Sequence, residues 1–231
     1  MTRYNTIEKK QLVIDQLNWD TGVDPEGIDV QIMDDNVILE GSVTSYQAKI
    51  AAEKTIQAIP GIRKITNNLR IKLPPNAVQQ SDEEIHENVV NQLNKNEFVD
   101  TRNIRINAKN STVTFEGNVK SLKNKQLLTD IAYSSTGVVD VINNTYVQPA
   151  EEISDEDIAG NIRMELEERS LIDNDQLIVE VEDGVVHLRG NAPSWKVKED
   201  VHEIALNTRS VTDVIDDIEI DQLPIDDEYR E

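Results

Sequence analysis

The chain has 231 residues and no cysteine, and it carries 23 Lys/Arg against 44 Asp/Glu for a formal net charge of −21. The missing cysteine excludes disulfide staples, thiolate metal ligands and a thiol nucleophile, and the acidity argues against nucleic acid as a partner, since neutralising phosphates needs a basic surface. Aromatic residues make up only 4%, so any core must be built from Ile, Val and Leu.

The segment from Met1 to Lys10 has neither the apolar stretch nor the small-residue cleavage site of a secretory leader, and nothing in the chain approaches a run of about 18 apolar residues. The expectation is a cytoplasmic protein with no transmembrane segment, or a periplasmic one if a leader has been removed. The first predicted element is an amphipathic helix with Ile7, Val13, Ile14 and Leu17 on one stripe and Thr6 or Asn5 as its cap. Ile28 to Ile32 alternates apolar and polar residues, as a half-buried strand does. Asp34-Asp35-Asn36 is a hairpin turn, and a second strand runs through Val37 and Leu39 to Gly41. Ser45 is the N-cap of a second helix that carries Ile50, Ala51 and Ile56 and stops at Pro60-Gly61. A third strand takes in Ile62, Ile65, Leu69 and Ile71, and Leu73-Pro74-Pro75-Asn76-Ala77 forms a semi-rigid linker.

The same series then returns twice. Ser81 and Ser154, each with an acid three residues later, open helices bearing Ile85, Val89 and Leu93, then Ile158, Ile162 and Leu166. Hairpins turn at Lys109-Asn110-Ser111 and Glu182-Asp183-Gly184. The run Val37–Ser45 is repeated as Val113–Ser121 and Val186–Ser194, with Gly41, Gly117 and Gly190 spaced 76 and 73 residues apart. A period this long is a small domain rather than a solenoid unit, and such domains are near the lower limit for an independent core. Ser121 and Ser194 cap the later second helices, which stop at Gly137 and at Arg209-Ser210, where the helix-ending glycine is replaced. The pair Asn67-Asn68 of the third strand recurs as Asn143-Asn144 and as Asp216-Asp217. The fold class is therefore α+β: three tandem α-β-β-α-β modules over 5–73, 81–149 and 154–223, with an acidic tail over 224–231. Each module is expected to form a three-stranded mixed sheet with both helices on one face. Strand order and the packing of the modules stay open.

The V-x-L-x-G-x-V-x-S run, the helix stopped by a glycine 20 residues after the first, and the V-x-x-V-x-N-x-L/I strand together resemble the BON (bacterial osmotic-stress and nodulation) domain. The resemblance covers most of the chain. It is nearly complete in modules 1 and 2, while module 3 departs from it at Arg209-Ser210 and Asp216-Asp217. It implies the α-β-β-α-β fold, no catalytic residues and no cofactor. It also implies a binding role, usually described as phospholipid or membrane interaction in osmotic or envelope stress.

The residues themselves offer little chemistry. Gly41, Gly117 and Gly190 lack the companions of a phosphate-binding loop and read as fold punctuation, as do Ser45, Ser121 and Ser194. His86, His187 and His202 have no histidine partner at helical spacing. The charge is uneven: residues 151–231 hold 7 Lys/Arg against 25 Asp/Glu, which could attract hard cations, although no EF-hand spacing is present. Lys120, Lys123 and Lys125 form the best basic cluster, the candidate contact for phospholipid headgroups. Trp195 occupies the place of Tyr46 and Leu122 and is expected to pack within or between modules. The leading expectation is a non-enzymatic phospholipid-surface binder. The alternatives are a module responsive to K⁺ or Ca²⁺ and a protein–protein scaffold.

Overall fold

The computed structural model describes residues 6–33, 35–74, 76–149, 153–169 and 177–221. Asn5, Asp34, Pro75, Ala150, Glu151 and the tail 224–231 lie outside that range.

Module 1 contains α1 (Thr6–Trp19), β1 (Ile28–Met33), β2 (Asn36–Val43), α2 (Tyr46–Gln57), β3 (Lys64–Asn67) and β4 (Arg70–Ile71). Module 2 contains α3 (Asp82–Asn94), β5 (Ile104–Lys109), β6 (Thr112–Val119), α4 (Leu122–Tyr133) and β7 (Asp140–Val147). Module 3 repeats this with α5 (Asp155–Glu168), β8 (Leu177–Glu182), β9 (Val185–Ala192), α6 (Trp195–Asn207) and β10 (Asp213–Ile220). In each sheet the second strand is central: it pairs antiparallel with its hairpin partner and parallel with the strand that follows the second helix. The sheet is thus mixed, as the sequence implies. In module 1 the last strand is split. Residues 64–67 and 70–71 keep one register along β2, and pairing lapses opposite Glu40 and Gly41. Modules 2 and 3 carry the ladder through Gly117 and Gly190 without a break.

The punctuation works as its chemistry dictates. Ser45, Ser121 and Ser194 accept hydrogen bonds from the backbone N–H of Ala48, Asn124 and Val197 at 3.1, 3.2 and 3.3 Å, which satisfies a donor that the helix start would leave orphaned. Ser81 forms a full capping box with Glu84. Gly41 and Gly117 have φ of +113° and +125°, and a Cβ at Gly117 would lie 2.0 Å from Asn103 O. The repeated glycine is therefore a point of close backbone approach between the hairpin strands. Ser210 takes φ +65° where Gly61 and Gly137 take +85° and +91°. The third copy keeps the left-handed turn without glycine, and α6 ends on an extended Thr208 rather than the helical Ala58 and Ser134 that close α2 and α4.

Each module buries its own aliphatic core, led by Val13, Leu17, Leu39 and Ile56, then Ile85, Leu93, Phe115 and Leu128, then Ile158, Ile162, Leu188 and Ile204. One residue of the expected stripe falls elsewhere: Ile7, in the first turn of α1, is 82% exposed.

The modules are joined by one position used three times. Tyr46, Leu122 and Trp195 each open a second helix, five residues past the repeated glycine. Tyr46 stacks on Tyr133 of module 2, with ring centroids 4.2 Å apart and 5° between planes, and its hydroxyl donates to Asp130 at 3.3 Å. Leu122 is buried in the apolar core of module 3. Trp195 packs against the cores of both module 3 and module 1. Module 1 therefore grips module 2, module 2 grips module 3, and module 3 grips module 1. Three head-to-tail contacts close into a cycle, as three identical subunits with a heterologous interface would.

Candidate functional site

The second helices α2, α4 and α6 meet around a cleft of about 510 Å³ that takes residues from every module. Glu53 and Gln57 come from module 1, Lys123, Leu127 and Asp130 from module 2, and Trp195, Glu199, Glu203, Leu206 and Asp216 from module 3. Across one joint at its rim, Lys123 Nζ donates to Asn207 Oδ1 at 2.7 Å.

One wall of the cleft follows from a substitution between repeats. In modules 1 and 2 an asparagine on the last strand fastens the second helix. Asn67 donates to Lys49 O at 3.0 Å and to Glu53 Oε2 at 3.1 Å, and Asn143 donates to Lys125 O at 2.7 Å and Thr129 Oγ1 at 3.0 Å. Module 3 has Asp216 at this place, and a carboxylate cannot donate. The helix residues at the equivalent positions are Lys198 and His202, and their side chains meet the carboxylate instead. Lys198 Nζ lies 3.3 Å from Asp216 Oδ1 and also donates to Ile218 O at 2.6 Å. His202 Nδ1 lies 3.4 Å from Asp216 Oδ2, near enough for an ion pair but too poorly aligned for a full hydrogen bond. Burial pushes the Asp216 carboxyl up, but His202, the Ile218 N–H and Lys198 together outweigh it and hold the group below the usual carboxylate range. His202, unpromising in the sequence, thus has a partner. The signal was present in Asp216-Asp217, the pair that breaks the Asn-Asn pattern.

Asp130, which also lines the cleft, has no cation within ion-pair distance among the described residues. Burial raises its pKa, opposed in part by the Tyr46 hydroxyl. Burial and the Asp130 charge push Tyr46 up to about 12. Trp195 Nε1 is buried without a hydrogen-bond partner among the described residues.

The three lysines of the sequence cluster are placed apart. Lys123 and Lys125 are two residues apart on α4 and project about 200° from one another around its axis. Lys123 is at the joint with module 3, and Lys125 is half-buried. Lys120 precedes the helix and lies 3.6 Å from Asp100 on the loop between α3 and β5. That loop presents Phe98, 80% exposed, and Arg102, whose guanidinium forks onto Asp100 at 2.8 and 2.7 Å. Arg102 holds the Asp100 carboxyl well below the usual range. Exposed Lys95 closes α3 at the start of the same loop. Trp19 is 84% exposed at the start of the corresponding loop in module 1. Phe98 went unmarked in the sequence because a lone aromatic in a polar run has no periodic signature. His86 and His187 are half-buried on α3 and β9. Among the described residues no group of three or more His, Asp or Glu is placed to hold a metal ion, and no helix is long and apolar enough to cross a membrane.

The family model of the BON domain matches residues 9–72, 81–149 and 154–222. No curated protein matches the chain. Among solved structures, the chain is similar to the C-terminal domain of CdsD, a structural protein of the Type III secretion system of Chlamydia trachomatis. The identity is 14% and the TM-score 0.26, with 97% of this chain and all of that one covered. A second CdsD structure gives 14% identity and a TM-score of 0.27 over 96% of this chain and 94% of the other. Both scores are too low to bear on arrangement or role. The three family matches span most of the chain, which belongs to the BON domain family as a tandem array of three modules of a non-catalytic, binding type.

Proposed function

We propose that this protein is a non-catalytic binder of anionic phospholipid surfaces, attached through the end of module 2 that carries the α3–β5 loop. The supporting observation is Phe98, 80% exposed on a loop that also carries exposed Lys95 and Arg102 and whose Asp100 draws in Lys120. An exposed aromatic amid cations suits the headgroup boundary, where the ring enters the apolar edge and the cations stay with phosphate. Each basic residue near an anionic surface contributes about 1 kcal/mol, and the ring contributes a similar amount, which gives weak, salt-sensitive attachment. Lys120 is the one lysine of the sequence cluster that this reading keeps at the contact. Module 3, with 25 Asp/Glu against 7 Lys/Arg over residues 151–231, is repelled by the same surface, so the charge asymmetry orients the molecule.

Cosedimentation of the full chain with phosphatidylglycerol-containing vesicles at low salt tests this. Binding should fall as salt rises and drop about fivefold or more in Phe98→Ser and in Lys120→Glu, one lost contact of about 1 kcal/mol each, while Lys125→Glu should leave it nearly unchanged. Absence of binding to anionic vesicles, or equal binding by Phe98→Ser and Lys120→Glu, contradicts the proposal.

A further inference from the structure

We propose that the open cleft between α2, α4 and α6 is a binding site for a linear polyamine, independent of the phospholipid contact. The cleft lies where the cyclic joints converge, and its walls exist only because three modules are present. Five carboxylates reach it: Glu53 from module 1, Asp130 from module 2, and Glu199, Glu203 and Asp216 from module 3.

The cations in the cleft are already engaged. Lys198 is held by Asp216 and Ile218 O, and Lys123 by Asn207. Glu53, Glu199 and Glu203 have no ion pair within 4 Å among the described residues. The site therefore carries excess negative charge supplied by all three modules.

The same cleft is also lined by apolar Leu127, Leu206 and Trp195. A bare metal ion gains nothing from such a lining, and the described residues offer no cluster of three metal-ligating groups. A chain of ammonium groups separated by methylenes matches both features, with charges set toward the carboxylates and methylenes against the apolar side chains. The cavity volume of about 510 Å³ falls within the range of small-molecule sites.

The test is calorimetric titration of the full chain with spermidine at physiological ionic strength. Expected is a single site whose affinity drops at least tenfold in the Glu199→Gln/Glu203→Gln variant. Both residues are exposed on α6, so the variant should keep the wild-type melting profile. Glu83→Gln/Glu87→Gln, on exposed positions of α3 away from the cleft, removes the same charge and should leave binding intact. Phe98→Ser should bind spermidine normally, which separates this site from the phospholipid contact. Heats that fit many equivalent sites, equal responses to Mg²⁺ at matched ionic strength, equal losses in the two double variants, or no binding at millimolar spermidine each overturn the proposal.

Discussion

At the scale of single residues, backbone geometry and unlike substitutions between repeats determine most outcomes. Gly117→Ala places a Cβ 2.0 Å from Asn103 O at a φ of +125°, and strain of that kind should cost about 3 kcal/mol in urea unfolding. Gly160→Ala is the converse. It lies inside α5 with open space where a Cβ would stand, and should gain about 0.5–1 kcal/mol by the same assay. Asp216→Asn restores the residue that the other two modules use. Because Asp216 titrates below its ordinary value when folded, its contribution to stability is present above the unfolded pKa and lost as pH falls through the folded one. The variant should therefore lose less stability than the wild type on acidification, as compared by urea unfolding at neutral and acid pH. The repeated Gly and Ser were legible in the sequence because their work is local: a turn, a close approach, a cap. The Asp216 partners were not, because Lys198 and His202 lie 18 and 14 residues earlier in the chain and only the fold lays that helix against the strand.

At the scale of elements, the second helix does two jobs. Its apolar stripe completes its own module, and its first residue enters the next. The element series was readable from the period of about 3.6 residues for helices and 2 for strands. The lapse between β3 and β4 was not, since Leu69 and Ile71 keep the alternation through the gap. Nor was exposed Ile7, because periodicity gives a stripe without saying where the core ends. The joints escaped the sequence for a different reason. Tyr46, Leu122 and Trp195 share a position but not a chemistry, and each makes its contact in its own way: a stacked ring, a buried aliphatic, a bridging indole. Tyr46 gives the joint between modules 1 and 2 a pH limit. Its pKa is raised to about 12 from 10.0, so its contribution is full below pH 10 and lost as pH rises through about 12. A spectrophotometric phenolate titration should show Tyr46 among the last tyrosines to ionise, and Tyr46→Phe should remove that late step. Early ionisation of every tyrosine would mean that the stacked joint is absent in solution.

At the scale of the whole molecule, three copies of one fold become a single unit with unlike faces. Module 2 turns a loop with exposed Phe98 outward, module 3 carries most of the charge of −21, and all three line an acidic cleft. Neither the cleft nor its lining could be read from sequence, because it depends on how the copies pack and not on any one copy. Closure of the cycle links the stabilities of modules that would each be marginal alone. Trp195→Ala removes the contact between modules 3 and 1 and should cost roughly 2 kcal/mol or more, as loss of a large, partly buried aromatic does. The cycle is tested most directly by native-state amide hydrogen exchange, resolved by mass spectrometry for Val37–Leu39, Val113–Phe115 and Val186–Leu188. In the wild-type chain the three central strands should open with one common free energy, and in Trp195→Ala the module 1 strand should open first. Three separate opening free energies in the wild type, unchanged by Trp195→Ala, would contradict a closed cycle.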